Sequence, residues 1–243
     1  MRNIYLSLAV ALSITAQAQV TTDSVNVNVN PTDTLLIEVD EFSTGAIATI
    51  GGADEDGTDT LSVSLSTSDF SVTPATSGVT SANGDIGSLE PNITLDYVVQ
   101  DEYVFNTTIT DAGGLSATAV TKVKVNPLPL GDIKPDSVQV AENSPSALFT
   151  LSVERTLPNG SQQTLTSNVT YEILTIDGAA YDPANDPFSI SGTDLQVAAN
   201  MNYEAASIYA VEIKATRGPT DTTDIVYVEI TNVNEAPFKI YVK

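Results

Sequence analysis

From Val20 onward apolar and polar residues alternate, with Val, Ile, Thr and Tyr filling the runs and turn residues separating them. A period of two sends successive side chains to opposite faces of an extended chain, the pattern of half-buried strands. The first half predicts strands at Leu35–Val39, Ala46–Ile50, Leu61–Leu65, Asp69–Val72, Tyr103–Ile109 and Leu115–Val125. Upstream of these, Val25-Asn26-Val27-Asn28-Val29-Asn30-Pro31 alternates strictly and closes on a proline, as an unpaired leader or the closing strand of an incomplete unit. Asp54-Glu55-Asp56-Gly57-Thr58-Asp59 predicts an acidic turn, and Ser77 to Gly87 a loop rich in Ser, Gly and Asn. Asp111-Ala112-Gly113-Gly114 joins the last two strands as a hairpin. After residue 18, no stretch shows the recurrence of roughly 3.6 residues that marks an amphipathic helix.

Asn126-Pro127-Leu128-Pro129-Leu130-Gly131 interrupts the pattern. Prolines cannot continue a central strand and make a short, stiff connector. Strands are then expected at Ser137–Val140, Ala147–Val153, Val169–Thr175, Leu195–Ala198, Ile208–Ala215 and Asp224–Ile230, with Asp186-Pro187-Phe188-Ser189-Ile190 leading into a short strand and a polar loop over Thr156–Ser167. Several short strands within about 100 residues are the signature of a β-sandwich. The halves can also be laid over one another. Glu41-Phe42-Ser43-Thr44-Gly45 matches Glu142-Asn143-Ser144-Pro145, and Leu95-Asp96-Tyr97 matches Met201-Asn202-Tyr203-Glu204. Tyr103-Val104-Phe105 matches Tyr209-Ala210-Val211, and Val123-Lys124-Val125 matches Val228-Glu229-Ile230.

Those landmarks, with the terminal stretch Asn232-Val233-Asn234-Glu235-Ala236-Pro237, resemble the extracellular repeats of the cadherin superfamily over roughly Pro31 to Phe238. The resemblance implies an all-β chain of two tandem Greek-key, immunoglobulin-like β-sandwich repeats. The expected division is 31–127 for repeat 1, 128–133 for a proline-rich linker and 134–237 for repeat 2. Residues 19–30 are then a leader or partial strand, and 238–243 the start of a further strand or of a truncated repeat. Residues 1–18 read as a secretory signal peptide: Arg2, an apolar run from Ile4 to Ile14, and Ala16-Gln17-Ala18 as the cleavage pattern. No later segment reaches the roughly 20 apolar residues of a transmembrane helix. The expected location is extracellular.

Composition narrows the chemistry. The chain has no Cys, His or Trp, which removes disulfides, the usual zinc ligands and every Ser-His-Asp arrangement. Oxygen ligands remain, and they suit calcium. A net charge of −22 argues against nucleic acid as a partner. A glycosidase pair of acids needs a cleft, usually beside aromatic platforms; at 6% aromatic residues the chain is expected not to be an enzyme. Carbohydrate binding would need an exposed aromatic row, whereas Tyr97, Tyr103 and Tyr203 read as core or strand positions.

In the cadherin pattern, carboxylates from the end of one repeat and the start of the next surround calcium, the cofactor the resemblance implies. Asp54, Asp56 and Asp111 match the acids at the start of repeat 1, where Asn28 and Asn30 could add carbonyls. Glu142, Asn202, Glu204, Asn234 and Glu235 match those at the end of repeat 2, with Asn202 and Asn232 in place of aspartates. Between the repeats Glu41 and Asp96 fit, but Val98 replaces a motif acid and the linker carries no carboxylate. Glu154-Arg155 and Arg217 stand where acids are expected, so the middle junction is expected to hold no metal, with an Arg217–Asp96 or Arg217–Glu41 ion pair. Leu65 at the twelfth position after Asp54 excludes an EF-hand. Sequons at Asn92, Asn106, Asn159 and Asn168 are candidate glycosylation sites.

The expected function is cell adhesion or extracellular structure, with a protein partner or like repeats meeting end to end. Alternatives are an acidic matrix protein contacting calcium mineral and a structural spacer without metal.

Overall fold

Alternation in sequence becomes alternation in burial. Along Glu102–Thr110, Tyr103, Phe105, Thr107 and Ile109 are buried while Glu102, Val104 and Asn106 face solvent. The structure, a computed structural model, describes residues 5–10, 34–53, 60–74 and 84–234. Every regular element among them is a strand. The chain divides into two units, Met1–Pro127 and Leu128–Lys243.

The first unit contains β1 (Tyr5–Val10), β2 (Thr34–Asp40), β3 (Ala48–Ala53), β4 (Ser62–Leu65), β5 (Phe70–Pro74), β6 (Gly84–Pro91), β7 (Glu102–Thr110) and β8 (Ser116–Asn126). They form two sheets ordered β1-β3-β6-β5 and β2-β8-β7-β4. β2 runs parallel to β8, and the other pairs are antiparallel. One core joins the sheets, with Ile37 and Val123 from one packing with Ile50 and Leu89 from the other. Phe70 stacks on Phe105 at 5.0 Å and meets the ring of Tyr103 edge-on at 5.4 Å.

The second unit contains β9 (Ile133–Lys134), β10 (Ser137–Ala141), β11 (Ala147–Thr150), β12 (Ser152–Thr156), β13 (Gln162–Leu165), β14 (Thr170–Ile176), β15 (Ala179–Ala180), β16 (Phe188–Ser191), β17 (Asp194–Val197), β18 (Ile208–Arg217) and β19 (Thr220–Thr231). One sheet is ordered β10-β19-β18-β14-β15, with β10 parallel to β19. Opposite it lie β11-β17-β16 and β13-β12-β9. Ile133, Leu151, Val153, Leu195, Val211, Ile213 and Val228 fill the shared core. Both units are β-sandwiches, as the periodicity and the internal repeat predict.

Four local expectations need correction. Gly84–Gly87, read as loop, opens β6. A Cβ at Gly87 would lie 2.5 Å from the Thr73 carbonyl oxygen, so glycine there lets β5 and β6 approach. The polar stretch Thr156–Ser167 contains β13, which folds back on β12 across a turn at Leu157–Ser161. Exposed hairpin strands carry few apolar residues, which hid this one. Ala147–Val153 is not one strand: β11 pairs with β17 while β12 pairs with β13 and β9, the change falling at Leu151. Ile133, assigned to the linker, pairs with Val153 in β9.

Candidate functional site

The same corner is built twice. At the end of β2 the N–H of Glu41 donates to the Asn126 carbonyl (2.9 Å), and that of Phe42 to the Leu95 carbonyl (2.8 Å). At the end of β10 the N–H of Glu142 donates to the Thr231 carbonyl and that of Asn143 to the Met201 carbonyl, both at 3.0 Å. Phe42 and Asn143 turn the chain with positive φ, 62° and 57°. Both glutamates are buried.

The carboxylates point back at their repeats' second landmark. Tyr97 N–H donates to Glu41 Oε2 (3.2 Å), and Tyr203 N–H donates to Glu142 Oε2 (3.1 Å). Glu142 Oε1 also accepts from Val233 N–H at 2.7 Å, which ties the segment after β19 to the corner. That bond does most to hold the Glu142 carboxyl below its ordinary range; burial opposes it, and the Tyr203 bond lowers it again. Beside the first corner Asp40 is raised, chiefly by burial and then by the charge of Glu41.

Asp96 and Asn202 share another role. Val98 N–H donates to Asp96 Oδ1 (3.1 Å) and Glu204 N–H to Asn202 Oδ1 (2.8 Å), each side chain bridging to the residue two positions on. That bond needs an acceptor oxygen, which Asn supplies in repeat 2 as Asp does in repeat 1. Asn232 Nδ2 donates to Glu204 Oε1 at 3.3 Å, bringing the exposed residue after β19 to the exposed acid. Asn234 is exposed, and Glu235 lies outside the described residues.

At the other end of repeat 1, Asp111 is buried and closes the β7–β8 hairpin by accepting Leu115 N–H at 2.8 Å. Asp54 and Asp56 lie outside the described residues. Among the described residues no three acidic side chains are grouped to hold a metal ion. Arg155 and Arg217 are both buried, and Arg155 Nε donates to Gln163 Oε1 (2.8 Å) across the β12–β13 pair. The burial of two guanidiniums gave no apolar signal to read in sequence. Glu154, by contrast, is only half-buried.

All four sequon asparagines, Asn92, Asn106, Asn159 and Asn168, are exposed. Asn159 Oδ1 accepts from Ser161 N–H (2.9 Å) and Ser161 Oγ (2.7 Å), fixing a surface turn. Of the three tyrosines expected in core or strand positions, Tyr103 is buried and Tyr97 packs partly against the core. Tyr203 is 39% exposed, because its backbone N–H rather than its ring is held by the corner. No helix among the described residues is long and apolar enough to cross a membrane.

No protein-family model and no curated protein matches the chain. The solved structures to which it is similar include cadherin ectodomains. Protocadherin gamma B2 extracellular cadherin domains 1–5 match at 15% identity and a TM-score of 0.38, over 96% of this chain and 41% of that one. Human protocadherin-24 EC1-2 matches at 16% identity and a TM-score of 0.35, over 84% and 95%. The human desmocollin-1 ectodomain matches at 19% identity and a TM-score of 0.36, over 83% and 41%. The chain thus spans about two fifths of the protocadherin gamma B2 fragment.

Proposed function

We propose that this is an exported, non-enzymatic cadherin-like protein of cell adhesion or extracellular structure, which takes calcium at the acidic ends of its two repeats. The observation that carries the reading is the corner built twice, with a buried glutamate holding the Asp96 and Asn202 turns in the same way. Glu142 accepts one described N–H on each oxygen, and a carboxylate oxygen has a second lone pair to offer. Glu204 and Asn234 offer further oxygens at that end, and Glu235 is the next acid in the sequence. Calcium takes six to eight oxygen ligands, so such a half-site is completed by water or by a like repeat meeting it end to end. Surface-exposed asparagines at the four sequons are suited to carry glycans.

Calorimetric titration with calcium tests the reading. The expected result is weak binding, in the range of about 10⁻⁴–10⁻³ M typical of extracellular modules. Asp54→Ala/Asp56→Ala should remove one component and Glu204→Ala/Glu235→Ala the other. Absence of heat in the unmodified chain would reduce the protein to a structural spacer.

A further inference from the structure

Asn-Gly occurs at Asn83-Gly84 and Asn159-Gly160, and the second lies wholly within the described residues. It belongs to the loop Pro158-Asn159-Gly160 between β12 and β13, closed where Leu157 N–H donates to the Ser161 carbonyl at 2.8 Å. Gly160 N–H donates to the Leu157 carbonyl at 2.8 Å, and Gly160 stands at φ 82°. A turn followed by a left-handed glycine is a common hairpin connection of this length, and the proline presets its first torsion.

An asparagine followed by glycine carries a reaction of its own. The glycine nitrogen attacks Cγ of the asparagine. An N–Cγ bond forms, the Cγ–Nδ2 bond breaks, and ammonia leaves with the proton that the nitrogen carried. Water then opens the five-membered ring at either carbonyl, leaving aspartate or isoaspartate. Glycine permits the attack because no Cβ crowds its nitrogen. The surroundings are open as well: a Cβ built on Gly160 would meet nothing within 4 Å, and Asn159 is exposed to the water that the second step consumes.

The closed turn withholds both reacting atoms. The Gly160 N–H is committed to the Leu157 carbonyl. The Asn159 carboxamide is held by its oxygen, where Oδ1 accepts from Ser161 N–H at 2.9 Å and from Ser161 Oγ at 2.7 Å. Attack requires the nitrogen to release its bonded proton and Cγ to turn towards it, so the turn has to open first. Three hydrogen bonds of ordinary net strength correspond together to about a hundredfold in such a local opening.

We propose that Asn159-Gly160 is a self-deamidating site latched by the turn that closes the β12–β13 hairpin, so that each conversion is an irreversible record of that hairpin opening. Isoaspartate routes the backbone through the former side chain and lengthens a loop whose span sets the register of β13 on β12. The product therefore loosens β13, which supplies the Gln163 Oε1 that accepts from Nε of the buried Arg155. β12 keeps its other edge, where Ile133 lies opposite Val153 and Glu154 N–H donates to the Asp132 carbonyl at 2.9 Å. Nδ2 of Asn159 is also the atom a glycan would take, and a glycan there blocks the reaction.

The test uses the full chain made without glycans, incubated at neutral pH, with peptide mapping to follow aspartate and isoaspartate at position 159. Conversion in the folded chain should be at least tenfold slower than in the same chain unfolded in guanidinium chloride. Ser161→Ala keeps the backbone donor and removes Oγ; Ser161 is exposed, so the core is untouched, and conversion should be severalfold faster than in the parent. Amide exchange on the converted fraction supplies a second measurement. Protection over Gln162–Leu165 should fall at least tenfold while that of Glu154 persists. A folded chain converting as fast as the unfolded one would overturn the latch. A slower Ser161→Ala would also overturn it, because the donors would then be assisting the attack. Unchanged protection over Gln162–Leu165 after conversion would overturn the record of opening.

Discussion

A carboxylate withdrawn from water keeps its charge only where donors replace the water, and Glu142 has the N–H groups of Val233 and Tyr203 for that purpose. Its folded pKa is lowered from 4.5. The stability it contributes is therefore fully present above that ordinary value and is lost as pH falls through the lowered one. Glu142→Gln can offer only one carbonyl oxygen to two donors. We expect it to destabilise the second unit at neutral pH, with the deficit against the parent chain shrinking below pH 4.5; urea melts at several pH values would measure this. A constant deficit down to pH 2 would show that the charge plays no part. Glu41 and Glu142 stand out in the chain as repeated letters, but their work as backbone acceptors depends on Tyr97, Tyr203 and Val233, brought to them by closure of the sandwich. Asp96 and Asn202 look like a kept and a lost metal ligand. In the fold both also act as turn acceptors, a bond that either residue can make.

Among the elements, strands with β-branched residues at every second position were legible at once. β7 and β8 pair from Glu102↔Lys124 to Thr110↔Ser116, close to the alternating runs that predict them. Strands defined by what they allow a neighbour to do were not. β6 begins Gly-Asp-Ile-Gly, a composition that reads as loop because the gain from Gly87 is proximity to β5. Gly87→Ala should therefore destabilise the first unit by about 2 kcal/mol, the usual scale for forcing an atom into a packed interior, measured by urea unfolding. Its Cβ would meet Thr73 and Val72 at 2.5–2.7 Å, so an unchanged midpoint would mean that the β5–β6 approach is looser than described. β13 is hidden in the sequence for another reason: Gln162 and Thr164 are exposed, so its alternation is polar against weakly apolar and carries little contrast.

At the scale of the molecule, each unit encloses its own apolar core, and without cysteines no covalent tie supplements either. Ile213 is fully buried in the second core; truncation to Ala at such a site costs about 2–5 kcal/mol. Hydrogen exchange on Ile213→Ala should show faster opening of β18 and β19, with Tyr103–Ile109 in the first unit unchanged. Loss of protection in both would mean that the cores unfold together. The parallel pairs described above also determine how each unit answers a pull. The strand near its beginning, β2 or β10, lies beside its last strand, β8 or β19, over seven and five register pairs. Tension applied at the two ends drags these neighbours past one another in opposite directions, so their hydrogen bonds are loaded together in shear instead of being opened one at a time. Forced unfolding is governed by the rate of crossing that barrier rather than by equilibrium stability. Each sandwich is therefore arranged to hold under sustained load even where its thermodynamic margin is small.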